Sequence, residues 1–149
     1  MFRYLHLQSE INMPIIKSFV TCLLTGNNFS PKKLSQLTGL RFRSPSERGT
    51  LNQGGEKWMY GGASISTPYH INREGKYIDI DTMLYTLLSY KDQMSLCGVQ
   101  DISLTLNFFC VSDMASWHLE YEQLKKLVEL GIGLSIDWYQ FENEEEIEK

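Results

Sequence analysis

Ile102-Ser103-Leu104-Thr105-Leu106-Asn107-Phe108 alternates apolar and polar side chains, and the run continues through Phe109-Cys110-Val111. A period of two marks a strand with one buried and one wet face. At Phe109 and Val111 the wet face turns apolar. Residues 112–116 open a helix downstream. Trp117, Tyr121, Leu124 and Val128 fall at i, i+4, i+7 and i+11, one helical face, with Glu122, Lys125, Lys126 and Glu129 on the wet side. Gly131 stops that helix. Residues 132–141 form a last strand, with Ile132, Leu134, Ile136 and Trp138 on one face and Ser135, Asp137 and Tyr139 on the other. This strand–helix–strand end predicts a core of Leu106, Phe108, Trp117, Leu124, Val128, Ile136 and Trp138.

Upstream, residues 15–25 are rich in β-branched and aromatic side chains and read as a strand. Ile16, Val20, Cys22 and Leu24 share one face, and Phe19 and Leu23 lie on the other, so the strand is expected in the middle of a sheet. Ser30 is a good N-cap and Pro31 a good first helical residue; Leu34 and Leu37 would share a side, and Gly39 fits just past the end. Residues 41–55 lack periodicity and read as a loop. Residues 57–67 read as a second strand, whose Gly61-Gly62 predicts a bulge or a close backbone approach. After a loop over 68–76, Asp81 is expected to cap a helix with Ile80 and Tyr85 as a hydrophobic staple. Met83, Leu84, Leu87 and Leu88 would form its apolar stripe. Four strands alternating with three helices predict an α+β two-layer sandwich. Its four-stranded sheet would be mixed or antiparallel with helices on one face, a ferredoxin-like variant.

The 149 residues, 42% apolar and 21% charged, fit one globular domain over 15–141, between an N-terminal extension (1–14) and an acidic flexible tail (142–149). That tail sets the net charge of −4, because residues 1–141 hold thirteen acids and thirteen bases. No bulk basic field invites direct nucleic-acid binding. No apolar run approaches the ~20 residues that cross a bilayer. Residues 1–8 lack a signal-peptide core. Residues 2–7 read either as a short extra strand or as sequence ahead of an alternative start at Met13. Three cysteines, Cys22, Cys97 and Cys110, cannot pair completely, and their apolar settings read as reduced thiols in a cytoplasmic protein.

Catalytic patterns are missing. His6, His70, His118 and the cysteines form no metal-ligand spacing, so neither metal nor cofactor is expected. Phosphate-binding glycine loops and Gly-x-Ser-x-Gly are absent; Gly131-Ile132-Gly133 stands at a helix end of the wrong polarity for anions. Cys97 is the thiol nearest a surface turn. Asp79 and Asp81 suit helix capping, whereas Asp137 interrupts an apolar strand. Lys32, Lys33, Arg41, Arg43 and Arg48 make one cationic cluster, facing either solvent or an acidic surface.

Several residues together carry a resemblance: Ser30-Pro31 before a helix ending Leu37-Thr38-Gly39-Leu40, then Arg48-Gly49, Trp58, Leu130-Gly131 and the closing Leu134-Ser135-Ile136-Asp137-Trp138-Tyr139. Over residues 15–141 the chain resembles a bacterial single-domain family of unknown function with a Gly-then-Trp segment and a final Ile-Asp-x-Tyr strand. By analogy of size, acidity and missing catalytic motifs it also resembles immunity proteins of polymorphic toxins, such as those of contact-dependent growth inhibition. That resemblance implies a non-catalytic protein, monomeric or weakly dimeric, that covers the active site of a cognate toxin domain, a nuclease by the acidity of its partner. Its expected partner-binding residues are Arg41, Arg43, Arg48, Trp58, Asp137, Tyr139, Glu142, Glu144 and Glu145. The alternatives are a small-ligand or enzymatic site around Asp137, Tyr139 and Trp58, and an adaptor that binds an acidic partner through the 41–48 loop.

Overall fold

β1 (Ile15–Gly26) has apolar residues on both faces and accordingly lies inside a sheet, flanked antiparallel by β3 (Gly61–Ser66) and β5 (Asp101–Cys110). The structure is a computed structural model that describes residues 15–68, 70–71, 80–111 and 118–147. Beyond β3 lies the short β2 (Arg43–Ser46), beyond β5 the parallel β6 (Gly133–Gln140), and the two-residue β4 (His70–Ile71) pairs with β1. The register sets Val20 beside Leu106, Cys22 between Ile65 and Leu104, and Leu24 between Ala63 and Ile102. One face of the sheet is therefore apolar. Against it pack Leu34 of α1 (Pro31–Thr38), Ile80, Met83, Leu84 and Leu87 of α2 (Ile80–Ser89), Met94 of α3 (Lys91–Leu96), and Leu127 and Leu130 of α4 (Tyr121–Leu130). The opposite face carries Thr21, Ser64, Ser66, Thr105 and Ser135, so the molecule is an α+β sandwich with a mixed sheet.

The expected four strands and three helices are all present, and further short elements join them. β2 and β4 lie in stretches read as loops; a two-residue strand is too short to show a period, and in β2 only Ser46 is buried. The chain breaks at Tyr90, which separates α3 from α2. The ferredoxin-like detail gives way too. That arrangement needs split β-α-β units, with another strand between the parallel pair. Here the parallel strands β5 and β6 are adjacent, and α4 makes the crossover between them.

Local signals fared unevenly. Ser30 caps α1, its Oγ accepting from Lys33 N–H at 3.3 Å, and Gly39 ends the helix in the left-handed conformation. Leu37 is exposed, because an eight-residue helix at the margin buries only its Pro31 and Leu34 side. α2 begins one residue early, so Asp81 sits in its first turn, where the helix dipole favours it, and does not cap. Ile80 is buried and Tyr85 exposed, so they form no staple. The second strand starts only at Gly61; ahead of it a hairpin tip forms, with Gly49 N–H donating to Trp58 C=O at 2.8 Å and Trp58 N–H to Thr50 C=O at 2.9 Å.

The predicted core holds at two of its six described positions. Leu106 and Phe108 are fully buried, but Leu124, Val128, Ile136 and Trp138 are not. α4 turns its neighbouring stripe, Leu127 and Leu130, to the core. At the acid-rich end, expected as a flexible tail, residues 144–147 turn into α5 (Glu144–Ile147), with Ile147 buried outside the main core and Phe141 stacked on Phe109 at 5.9 Å. Trp117, Asp79 and the expectations for residues 2–7 and 112–116 fall outside the described residues.

Candidate functional site

Among the described residues β6 is the last strand on its side of the sheet. Its side chains continue the two faces of β5: Ile136 lies beside Leu106, and Trp138 stacks on Phe108 with centroids 4.6 Å apart, while Tyr139 stacks on Phe109 at 4.8 Å on the opposite face. On the inner strand Leu106 and Phe108 are fully buried; on the edge Ile136 is 43% exposed, Trp138 45% and Tyr139 42%. The adjoining helix repeats the pattern. Tyr121, Leu124 and Val128 of α4 are 70%, 45% and 81% exposed, at i, i+3 and i+7, one outward stripe. α4 leads directly into β6 through Gly131-Ile132. Exposed apolar groups clustered this way mark an interaction site more often than scattered ones do.

Charge around this border is one-sided. Residues 118–147 hold eight carboxylates against Lys125 and Lys126, a net −6, whereas residues 1–117 are net +2. Asp137 is exposed on β6, and Glu142, Glu145 and Glu146 are exposed just beyond its end. Lys125 is engaged within α4, with Glu122 at 3.4 Å and the Tyr121 ring at 5.4 Å.

The residues singled out from sequence separate into two groups. Asp137, Tyr139, Glu142, Glu144 and Glu145 lie on β6 or directly after it, whereas Arg41, Arg43, Arg48 and Trp58 lie on or near β2 at the opposite border. Four strand spacings, about 19 Å, separate the two borders. No described contact links Trp58 to Asp137 or Tyr139. At the β2 border Arg48 and Glu47 are engaged locally. Arg48 Nη1 donates to Asn28 Oδ1 at 2.9 Å, and Glu47 Oε1 accepts from Ser30 Oγ at 3.0 Å and Lys32 N–H at 2.8 Å, bracing the start of α1. Arg41 lines a groove of about 450 Å³ with Pro31, Phe42, Pro45 and Glu47. Trp58 meets Tyr60 edge-on at 6.4 Å.

The exposed stripe of α4 was misread as core. A signal was present: Leu124, Leu127, Val128 and Leu130 cover two sides of the helix, and a helix apolar on two sides has two surfaces to cover.

Nucleophilic chemistry finds little support. Burial pushes the Cys22 thiol up to about 12, and it raises Cys97 and Cys110 as well, with Lys33 pulling Cys97 partly back. All three are protonated at neutral pH. The Cys22 shift has a stability consequence. Between an ordinary 9.0 and about 12 the unfolded thiol has lost its proton while the folded one keeps it. The folded state binds more protons there, so stability falls as pH rises through that window. In urea titrations from pH 8 to 11, Cys22→Ala is expected to flatten this decline; an unchanged slope would remove Cys22 as its cause.

Among the described residues no group of three or more His, Cys, Asp or Glu is placed to hold a metal ion, and no helix is long and apolar enough to cross a membrane. The chain matches no family model, no curated protein and no solved structure.

Proposed function

We propose that this chain is a non-catalytic binding protein, the immunity partner of a basic, nucleic-acid-degrading toxin domain, which it silences by covering the active site. The observation that carries the reading is the α4–β6 border: half-exposed Ile136, Trp138 and Leu124 and outward Tyr121 and Val128, set in a region of net −6. Such a composition, aromatic and apolar at the centre with charge at the rim, is that of a protein interface. A nuclease must hold a polyanion and therefore presents cations. An acidic rim draws such a surface in at long range.

Co-expression with a basic nuclease toxin domain, sought first in a large secreted protein encoded next to this chain, is expected to give a stable complex and to suppress the domain's nuclease activity. A domain that stays active in excess chain would overturn the reading. Electrostatic steering predicts a kinetic signature. Replacing Glu142, Glu145 and Glu146 together by Gln leaves buried Ile147 in place. It should slow association about tenfold at low salt and leave it unchanged at 1 M, where the Debye length is about 3 Å. Equal rates in both salts would place the acidic end outside the encounter surface.

A further inference from the structure

We propose that the partner docks by adding a strand along Leu134–Trp138 on the edge of β6 that no described strand pairs, seating its apolar side chains between that edge and the outward stripe of α4. The backbone carries this inference. Phe141 N–H donates to Cys110 C=O at 2.9 Å, so at this end of the strand odd-numbered residues turn toward β5. Peptide groups alternate along a strand, so Ser135, Asp137 and Tyr139 also point to β5, and Leu134, Ile136 and Trp138 turn their N–H and C=O groups outward. No described residue pairs with those outward groups. An exposed strand edge is normally blunted by lysine, proline, a bulge or a covering loop. From Gly133 to Gln140 there is no Lys and no Pro, and the pairing with β5 is continuous without a bulge. The single charge, Asp137, points to the hydroxyl-rich face and not along the edge.

The same residues that offer peptide groups also offer side chains. Ile136 and Trp138 project on the helix side of the sheet, each about half exposed. A strand laid beside them would alternate its own side chains, one set toward Ile136, Trp138 and the α4 stripe, the other toward Asp137 and Tyr139. An apolar-basic alternation satisfies both.

The occupant is an extended segment of a basic protein, and that choice rests on the reading above. Charge complementarity selects it over a second copy. Two copies joined edge to edge would bring together two borders that each carry net −6, and like charges juxtaposed at an interface are costly.

The test uses the full chain and two probes. One is the cognate toxin domain sought under the functional reading above. The other is a synthetic peptide of alternating lysine and valine, about twelve residues at ~3.3 Å each, enough to cover β6. Strand addition leaves an alternate-residue mark in amide exchange. Exchange at Leu134, Ile136 and Trp138 should slow at least about tenfold on binding, while Ser135, Asp137 and Tyr139, already bonded to β5, change little. Ile136→Pro removes an outward N–H without removing a β5 bond, so it should keep the fold and weaken binding about thirtyfold. Val128→Lys, on an exposed helix position, should weaken it without any cost in folding.

Uniform protection of β6, or none, would overturn the inference. So would a dimer in light scattering whose β6 amides are already protected, because a second copy then holds the edge. Deletion of residues 1–12 that newly exposes those amides would overturn it equally, as the chain would supply its own strand. If the toxin domain is silenced while Leu134, Ile136 and Trp138 exchange at the free rate, strand addition fails and the immunity reading stands. If the peptide gives the alternate pattern but the domain stays active, the edge stands and the immunity reading fails.

Discussion

Phe108→Ala is expected to cost about 3–5 kcal/mol of folding stability, the range for a fully buried aromatic truncated to alanine. Phe108 has no exposed surface; it sits between β1 and β6, opposite Ser18 in the register, with the Trp138 ring stacked on it at 4.6 Å. Its removal empties a ring-sized volume beneath the helices and leaves Trp138 stacked on nothing. A domain of this size has only about 5–15 kcal/mol in hand, so the variant should be partly unfolded in modest urea. Val128→Ala supplies the contrast. Although it belongs to the same apolar periodicity, its side chain is 81% exposed, and the change should stay within about 0.5 kcal/mol. Equal losses at both positions in urea melts would mean that α4 turns its other side to the sheet.

Gly61→Ala is expected to be as severe by a different route. A methyl group there would sit 1.8 Å from the Phe29 carbonyl oxygen and 2.7 Å from its carbon. Both are backbone atoms, held on the other side by Gly98, whose own added carbon would meet the Asn28 carbonyl at 2.6 Å. The Asn28-Phe29 turn is thus clamped between two strand and helix ends, and it is tied there by Phe29 N–H to Gly26 C=O at 3.1 Å and Ser30 N–H to Cys97 C=O at 3.0 Å. Phe29 is buried at the centre of the clamp. No flexible side-chain tip can move aside, so the cost should reach about 3 kcal/mol, the upper part of the overpacking range. Gly133→Ala, where nothing lies within 4 Å, is the control and should be near neutral. A mild Gly61→Ala would show that the turn can shift, and that the close approach is not required for folding.

The two halves of this chain were legible to different degrees. Residues 15–25 and 102–111 declared their strands and faces because a buried strand must alternate or be apolar throughout. The register confirms those faces side chain by side chain, Val20 with Leu106 and Cys22 with Leu104. Gly61-Gly62 signalled a close approach, and Gly61 makes one. For α4 the spacing of Tyr121, Leu124 and Val128 marked a coherent apolar face correctly, yet that face is turned outward. Periodicity reports which residues share a side of a helix, not what lies opposite that side.

By itself, then, the sequence determined the α+β class, the four long strands, their inner and outer faces and the caps of α1, since each depends on residues a few positions apart. It also determined the acidity of the C-terminal third, which is composition alone. Only the tertiary structure decided that β6 runs parallel at a border, that its Leu134, Ile136 and Trp138 turn peptide groups outward, and that β2 and β6 stand four strand spacings, about 19 Å, apart. Strand order and edge position are set by which distant segments pair, a choice made by packing energies summed over the whole sheet and by the crossover through α4. No local pattern carries that sum.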